Sequence, residues 1–162
     1  VMAISNNKRN FLRGKLSAAM PLRPPWAIIE HEFIETCTRC TDCVKQCPQN
    51  IIRIADGGFP EINVSEAGCD FCQACVQACL PNALNLGISV PFNCYATIND
   101  NCFSERGVIC RSCGEVCEVQ AIKFKQVVGG ITHVAMETLS CTGCGECISV
   151  CPAFAISLQH RD

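Results

Sequence analysis

Apolar residues along the chain fall into four short alternating pairs: Ile52 and Ile54, Leu84 and Leu86, Ile122 and Phe124, Ile156 and Leu158. Alternation at period two buries one face of a short strand, so each pair predicts one. Each also stands five and seven positions after a cysteine, namely Cys47, Cys79, Cys117 and Cys151. Between the first two pairs, Asp56-Gly57-Gly58 signals a turn before Phe59, Ile62 and Val64; between the last two, Gly129-Gly130 precedes Ile131, Val134 and Met136. Gly58 lies eleven residues before Cys69 and Gly130 eleven before Cys141. The chain therefore reads as a repeat of repeats, with pseudo-twofold symmetry expected inside each half.

Cysteine carries the repeat. The spacing C-x2-C-x2-C-x3-C appears at Cys37, Cys40, Cys43 and Cys47, at Cys69, Cys72, Cys75 and Cys79, and at Cys141, Cys144, Cys147 and Cys151. Proline follows directly in the first and last copies (Pro48, Pro152), and Leu80-Pro81 in the second. A degenerate copy keeps Cys110, Cys113 and Cys117, but its leading cysteine, Cys102, lies eight positions upstream and Glu118 takes the proline's place. Sixteen of 17 cysteines are thereby placed, leaving Cys94. The domain reading is a Pro-containing arm over 1–29, a module with two complete motifs over 30–90, and a second module with one degenerate and one complete motif over 91–162.

The composition changes meaning in this light. The 49% apolar fraction of the 162 residues counts cysteine; without it, little core remains for the length. Disulfides would strand one of 17 thiols and call for an export signal. Zinc knuckles use paired C-x2-C and leave the third and fourth cysteines unexplained. Thioredoxin-type thiols need a βαβ context, which is missing. Cubane chemistry accounts for the whole spacing: three thiolates in one tight loop face a common centre, and the fourth, on a short helix leading away, ligates the other cluster of the pair.

The crossover rule then groups Cys37, Cys40 and Cys43 with Cys79, and Cys69, Cys72 and Cys75 with Cys47. It groups Cys141, Cys144 and Cys147 with Cys117, and Cys102, Cys110 and Cys113 with Cys151. Three 4Fe–4S clusters follow from the complete motifs. The degenerate set either holds a fourth or is an empty or labile site. Cys94 reads as a buried spare thiol, the alternative being a replacement ligand at that set. The expected fold is α+β, two tandem bacterial-ferredoxin-like modules of short hairpins and short helices, whose folding energy comes largely from metal.

Charge separates the arm from the rest. Residues 1–29 hold Lys8, Arg9, Arg13, Lys15 and Arg23 without an acidic residue, a net of +5, whereas the remainder has 8 basic against 15 acidic side chains, a net of −7. The arm is either a solvated tail or a docking element, kept extended by Pro21, Pro24 and Pro25. Lys8-Arg9-Asn10-Phe11-Leu12-Arg13 superficially matches a twin-arginine signal, but the segment up to Pro21 is too short for an apolar region, so a cytoplasmic location is expected. No stretch approaches the roughly 18 apolar residues of a membrane span. The overall charge of −2 gives no reason to expect nucleic acid.

No Ser/His/Asp constellation or carboxylate pair stands out, so a carrier rather than an enzyme is expected. His31, His133 and His160 lack a carboxylate at ligand spacing and read as surface or strand residues. Trp26 reads as a staple of the arm to the first module, ahead of a partner contact. Gly143 and Gly145 belong to the last cysteine loop, not to a nucleotide site.

Lys8-Arg9-Asn10-Phe11-Leu12-Arg13-Gly14, Arg23-Pro24-Pro25-Trp26, Cys37-Thr38-Arg39-Cys40, Cys69-Asp70-Phe71-Cys72 and the degenerate third motif before a complete last one resemble the NapF family of ferredoxin-type proteins, over nearly the whole length. Lys8-Arg9 stands where that family usually shows a basic pair resembling twin arginine. The resemblance implies a cytoplasmic accessory protein of the bacterial periplasmic nitrate reductase system. Its expected partners are the unexported precursor of the catalytic molybdenum subunit, which it would mature or condition by redox, and an electron donor. The rival readings are an assembly or scaffold protein that delivers clusters rather than electrons, and a low-potential ferredoxin for another oxidoreductase.

Overall fold

The computed structural model describes residues 21–88, 92–127 and 132–161. The turn glycines Gly129 and Gly130, Ile131, and the arm residues Lys8, Arg9, Arg13 and Lys15 lie outside them. In chain order the elements are α1 (Glu30–Thr36), α2 (Asp42–Lys45), β1 (Ile52–Ile54), a 3-10 turn (Asp56–Gly58), β2 (Pro60–Ile62), α3 (Ala74–Gln77), β3 (Cys94–Ile98), α4 (Ser112–Glu115), β4 (Ile122–Gln126), β5 (Thr132–Met136), α5 (Glu146–Ser149) and β6 (Ile156–His160).

The second module is the more regular. Its central pair is β4–β5, with Ile122 opposite Met136 and Phe124 opposite Val134. Its outer pair joins the module's two ends, β3 with β6, from Cys94 opposite His160 to Ile98 opposite Ile156. Ala96, Ile122 and Ile156 turn inward and meet Cys113 and Cys147 in one core. The alternation after Cys117 and Cys151 thus forms strands because both faces of the pairing are supplied within the module.

The first module repeats the plan with shorter pieces. Its central hairpin is β1–β2, Ile52 opposite Ile62 and Ile54 opposite Pro60, closed through Gly57 and Gly58 at φ of 84° and 82°. The amide of Asn63 closes on the carbonyl of Ile51 (2.7 Å), as that of Glu137 closes on Ala121 (2.7 Å) in the second module. The outer pair, however, shrinks to a single bridge between Ala27 and Leu84, flanked by Ile28 N to Ala83 O (3.1 Å) and Asn85 N to Trp26 O (2.8 Å). The strand expected at Leu84 and Leu86 therefore does not form: Leu84 is buried, but Leu86 is 50% exposed. Its partner is cut short by Pro24 and Pro25, which have no N–H to give a ladder, and by Trp26 at a φ of 60°.

That bridge also moves the boundary expected at residue 29, because residues 22–29 are built into the first module. The amide of Ile62 donates to the carbonyl of Leu22 (2.7 Å). Pro24 and Pro25 are fully buried. Arg23 places its guanidinium over the rings of Phe33 (5.1 Å) and Phe59 (5.4 Å), and donates to both carboxylate oxygens of Glu30 (2.9 and 2.7 Å) and to the carbonyl of Pro60 (3.1 Å). Trp26 is 7% exposed and meets Phe71 edge-on at 6.1 Å, so it packs as a staple. Phe33, Ile51, Ile52, Cys75 and Leu84 complete this core.

Each four-residue helix bears one motif, and α2 packs on α3 as α4 packs on α5. The third cysteine lies within the helix (Cys43, Cys75, Cys113, Cys147), and the fourth follows it by two residues. The sequence expectation had the fourth on the helix itself. Among the described residues no helix is long and apolar enough to cross a membrane.

Candidate metal centres

Left-handed backbone shapes the cysteine loops. In the first, Arg39 and Thr41 have φ of 59° and 68°; in the second, Phe71 and Gln73 have 54° and 66°; in the last, Gly143 and Gly145 have 74° and 83°. The same two positions, either side of the middle cysteine, are thus left-handed in all three complete motifs. Four of the six are not glycine, and Thr41 is β-branched, so each costs about 1–3 kcal/mol unless the loop's contents compensate. The degenerate motif does without: Arg111 has a φ of −135°.

The exit from every motif is common to all four. The third residue after the last cysteine is left-handed (Asn50, Asn82, Gln120, Phe154), and its amide donates to that cysteine's carbonyl at 2.9–3.2 Å. The turn forms whether Pro48, Leu80, Glu118 or Pro152 follows the cysteine. Proline favours it without being required.

These turns and helices bring the cysteines together in sets drawn from two motifs each. Cys37, Cys40, Cys43 and Cys79 line a solvent-connected hollow of about 390 Å³ with Phe33, Ile54 and Leu84. Cys69, Cys72, Cys75 and Cys47 line another of about 310 Å³, with Trp26, Ile52 and Phe71. Cys102, Cys110, Cys113 and Cys151 line a third of about 350 Å³ with Ile98, Phe103, Phe124 and Ile156. The thiol of Cys147 is near those of Cys144, Cys141, Cys113 and Cys117, so the remaining cysteines of the last two motifs converge there as well. Each of the three hollows is thus lined by three cysteines of one motif and the last cysteine of its partner motif.

The displaced Cys102 reaches its set through a folded loop. Cys102 N donates to Asn99 O (3.1 Å), Arg106 N to Cys102 O (3.2 Å) and Val108 N to Phe103 O (2.9 Å). The buried hydroxyl of Ser104 donates to the carbonyl of Cys110, tying the two cysteines' segments together. Glu105 anchors the loop to β5, accepting from Val134 N (2.6 Å) and facing His133 Nδ1 (2.8 Å). The Val134 amide, then His133, hold the Glu105 carboxyl below its usual range. His133 therefore does have a carboxylate partner, 28 residues away in sequence, at an exposed surface. The eight-residue spacing is an insertion with its own structure.

Cys94 belongs elsewhere. It is 0% exposed, its Sγ lies 3.9 Å from the carbonyl of Gly143, and the thiols acting on it are Cys141 and Cys144. It packs under the last cysteine loop, not among Cys102, Cys110, Cys113 and Cys151. Cys94→Ser is expected to leave bound iron unchanged; a loss of about four irons, one cubane's worth, would make this thiol a ligand.

The donor sets fit 4Fe–4S clusters. Three of them are four soft thiols around a hollow whose other walls are largely apolar. Backbone amides donate to Sγ at Cys69 (from Phe71, 3.4 Å), Cys79 (Leu84, 3.4 Å), Cys117 (Ala121, 3.3 Å), Cys141 (Ala96, 3.4 Å) and Cys151 (Ala155, 3.4 Å). Burial, and then neighbouring thiols, push Cys43 and Cys147 up to about 12 and Cys113 to about 11. For Cys69, at about 12, and Cys75, at about 11, burial is again the main cause, offset in part by the amides of Phe71 and Val76. Such groups become thiolates at neutral pH only beside a strong positive charge, which iron provides. A single ion is a poorer fit, since zinc holds its sulfurs about 2.3 Å from one point. Among the described residues no three His, Cys, Asp or Glu side chains close on such a point.

Two modules of two cysteine motifs each, every module with its own hairpin and outer strand contact, define the class as a tandem dicluster ferredoxin. Residues 36–84 and 108–155 each match a family model described as a 4Fe-4S dicluster domain. Over 160 residues the chain is 35% identical to the ferredoxin-type protein NapF of Escherichia coli (strain K12), covering 98% of both. It is 34% identical to NapF of Haemophilus influenzae, over 94% of this chain and 93% of that one. It is also 31% identical to the methylamine utilization ferredoxin-type protein MauM of Methylobacillus flagellatus, over 83% of this chain and 65% of that one. The chain belongs to the NapF family of ferredoxin-type proteins.

Proposed function

We propose that the protein holds four 4Fe–4S clusters on the four thiol sets and passes single electrons through them, as a cytoplasmic accessory to the catalytic subunit of periplasmic nitrate reductase before its export. The observation that carries the reading is three hollows, each lined by four cysteines drawn from two motifs, with the other four cysteines of the motifs left for a fourth set. The NapF and MauM relatives, all named ferredoxin-type proteins, support the electron-carrying part. The nitrate reductase partner rests on the family resemblance.

A cubane supplies a one-electron couple that needs no bonding change in the protein. The chain's own part is to hold and tune it. Amides such as Leu84 and Ala155 stabilise charge on the thiolates they meet, and Phe33, Trp26, Phe103 and Phe124 limit water at the hollows.

The test is an anaerobic reductive titration followed by mixing with the unexported catalytic subunit, with EPR and iron analysis on both proteins. Reversible one-electron reduction, reoxidation by the subunit and iron retained on this chain support the reading. Iron moving intact to the acceptor without redox turnover would replace it with cluster delivery.

A further inference from the structure

The two modules touch at their cysteine loops. The amide of Cys69 donates to the carbonyl of Cys144 at 2.8 Å, a backbone bond between a residue of the second set and one of the last-motif set. Beside it, the amide of Gly68 donates to Glu146 Oε2 at 2.9 Å, in a part-buried contact.

Glycine makes this approach possible. A Cβ on Gly68 would lie 2.6 Å from the nitrogen of Glu146, and one on Gly145, at a φ of 83°, would lie 2.6 Å from the side chain of Val64. Any other residue at either place would drive the loops apart. Trp26, Phe71 and Phe92 run alongside, with ring centres 6.1 and 5.8 Å apart, so the seam is packed as well as hydrogen-bonded.

We propose that the Cys69–Cys144 junction joins the two cluster pairs into one four-centre path, with Glu146 as the positioning residue that holds it closed. This rests on the four-cluster reading. The order of sets along the path is Cys37, Cys69, Cys141, Cys102, each named by its first cysteine. The inner two meet at the junction, and the outer two are the entry and exit. With clusters bound, the Cys69 and Cys141 sets would hold two centres on either side of the junction, between which one electron could pass from the reduced to the oxidised one. No bond forms or breaks and no proton moves. The electron is supplied by a one-electron donor, dithionite in the test below.

The experiment is EPR on the full chain, reduced anaerobically with dithionite, reading spin–spin splitting and relaxation alongside iron and sulfide content. Gly68→Ala wedges the seam, Glu146→Ala removes its side-chain bond, and Glu146→Gln keeps an acceptor for Gly68. The expected result is loss of part of the splitting in both alanine variants at unchanged iron, with wild-type splitting in Glu146→Gln. A purely structural role would change iron content together with the splitting. Wild-type splitting in both alanine variants overturns the junction. Fewer clusters than four, with splitting still lost in the alanine variants, would sink the cluster count and leave the junction standing.

Discussion

Anaerobic removal of iron by a chelator leaves a chain without its fold. Far-UV circular dichroism should lose its helix and strand signal, and amide protection should fall throughout the described residues. The elements explain why: among the described residues the α-helices other than α1 have four residues, the β1–β2 strands have three, and every sheet has two strands. Helices below about 12–15 residues and isolated hairpins are marginal in water. The cores meanwhile depend on cysteines among their buried members, Cys75 in one and Cys113 and Cys147 in the other. Left-handed strain at Arg39, Thr41, Phe71 and Gln73 adds to the load that metal binding must offset. Each ligand thiol must give up its proton to bind iron, so loss of iron and fold should quicken as pH falls. A metal-free chain that keeps its circular dichroism would show that the apolar cores suffice by themselves.

The second large effect is a displaced one. Cys47→Ser should abolish the centre on Cys69, Cys72 and Cys75, removing about four irons, while the centre on its sequence neighbours Cys37, Cys40 and Cys43 survives. The reason is the helix α2, which carries Cys43 toward one hollow and releases Cys47 two residues later into the other. Cys79→Ser should give the mirror result, sparing the second set and damaging the first. Iron analysis with EPR of the reduced variants reads both. Damage confined to the first set in Cys47→Ser would refute the crossed pairing.

The cysteine motifs behind the three hollows were legible in the sequence because ligand chemistry dictates their spacing and leaves little to packing. The strands after Cys117 and Cys151 were legible for a related reason: alternation and partner lie in the same module. Leu84 and Leu86 carried the same alternation and made one bridge, since the segment that would pair with them begins with two prolines. Residues 22–29 were grouped with the basic arm, as solvated tail or docking element, because charge and proline mark residues 1–29 as a whole; the buried Pro24, Pro25 and Trp26 and the aromatic pocket around Arg23 pack them onto the first module. The left-handed exit turns went unread: asparagine tolerates that conformation at Asn50 and Asn82, but Gln120 and Phe154 adopt it too. Nothing in the spacing from Cys102 to Cys110 revealed the loop held by Ser104 and Glu105, whose partners Cys110, His133 and Val134 are brought up by folding. The inter-module seam was hidden too, because Gly68 and Gly145 matter through what lies opposite them.

Iron and acid-labile sulfide per chain, measured on anaerobically purified protein, bear most directly on four crossed thiol sets. About sixteen of each is the predicted value, four for every cubane. About twelve would remove the Cys102 set from the account, and zinc at comparable stoichiometry in place of iron would contradict it altogether.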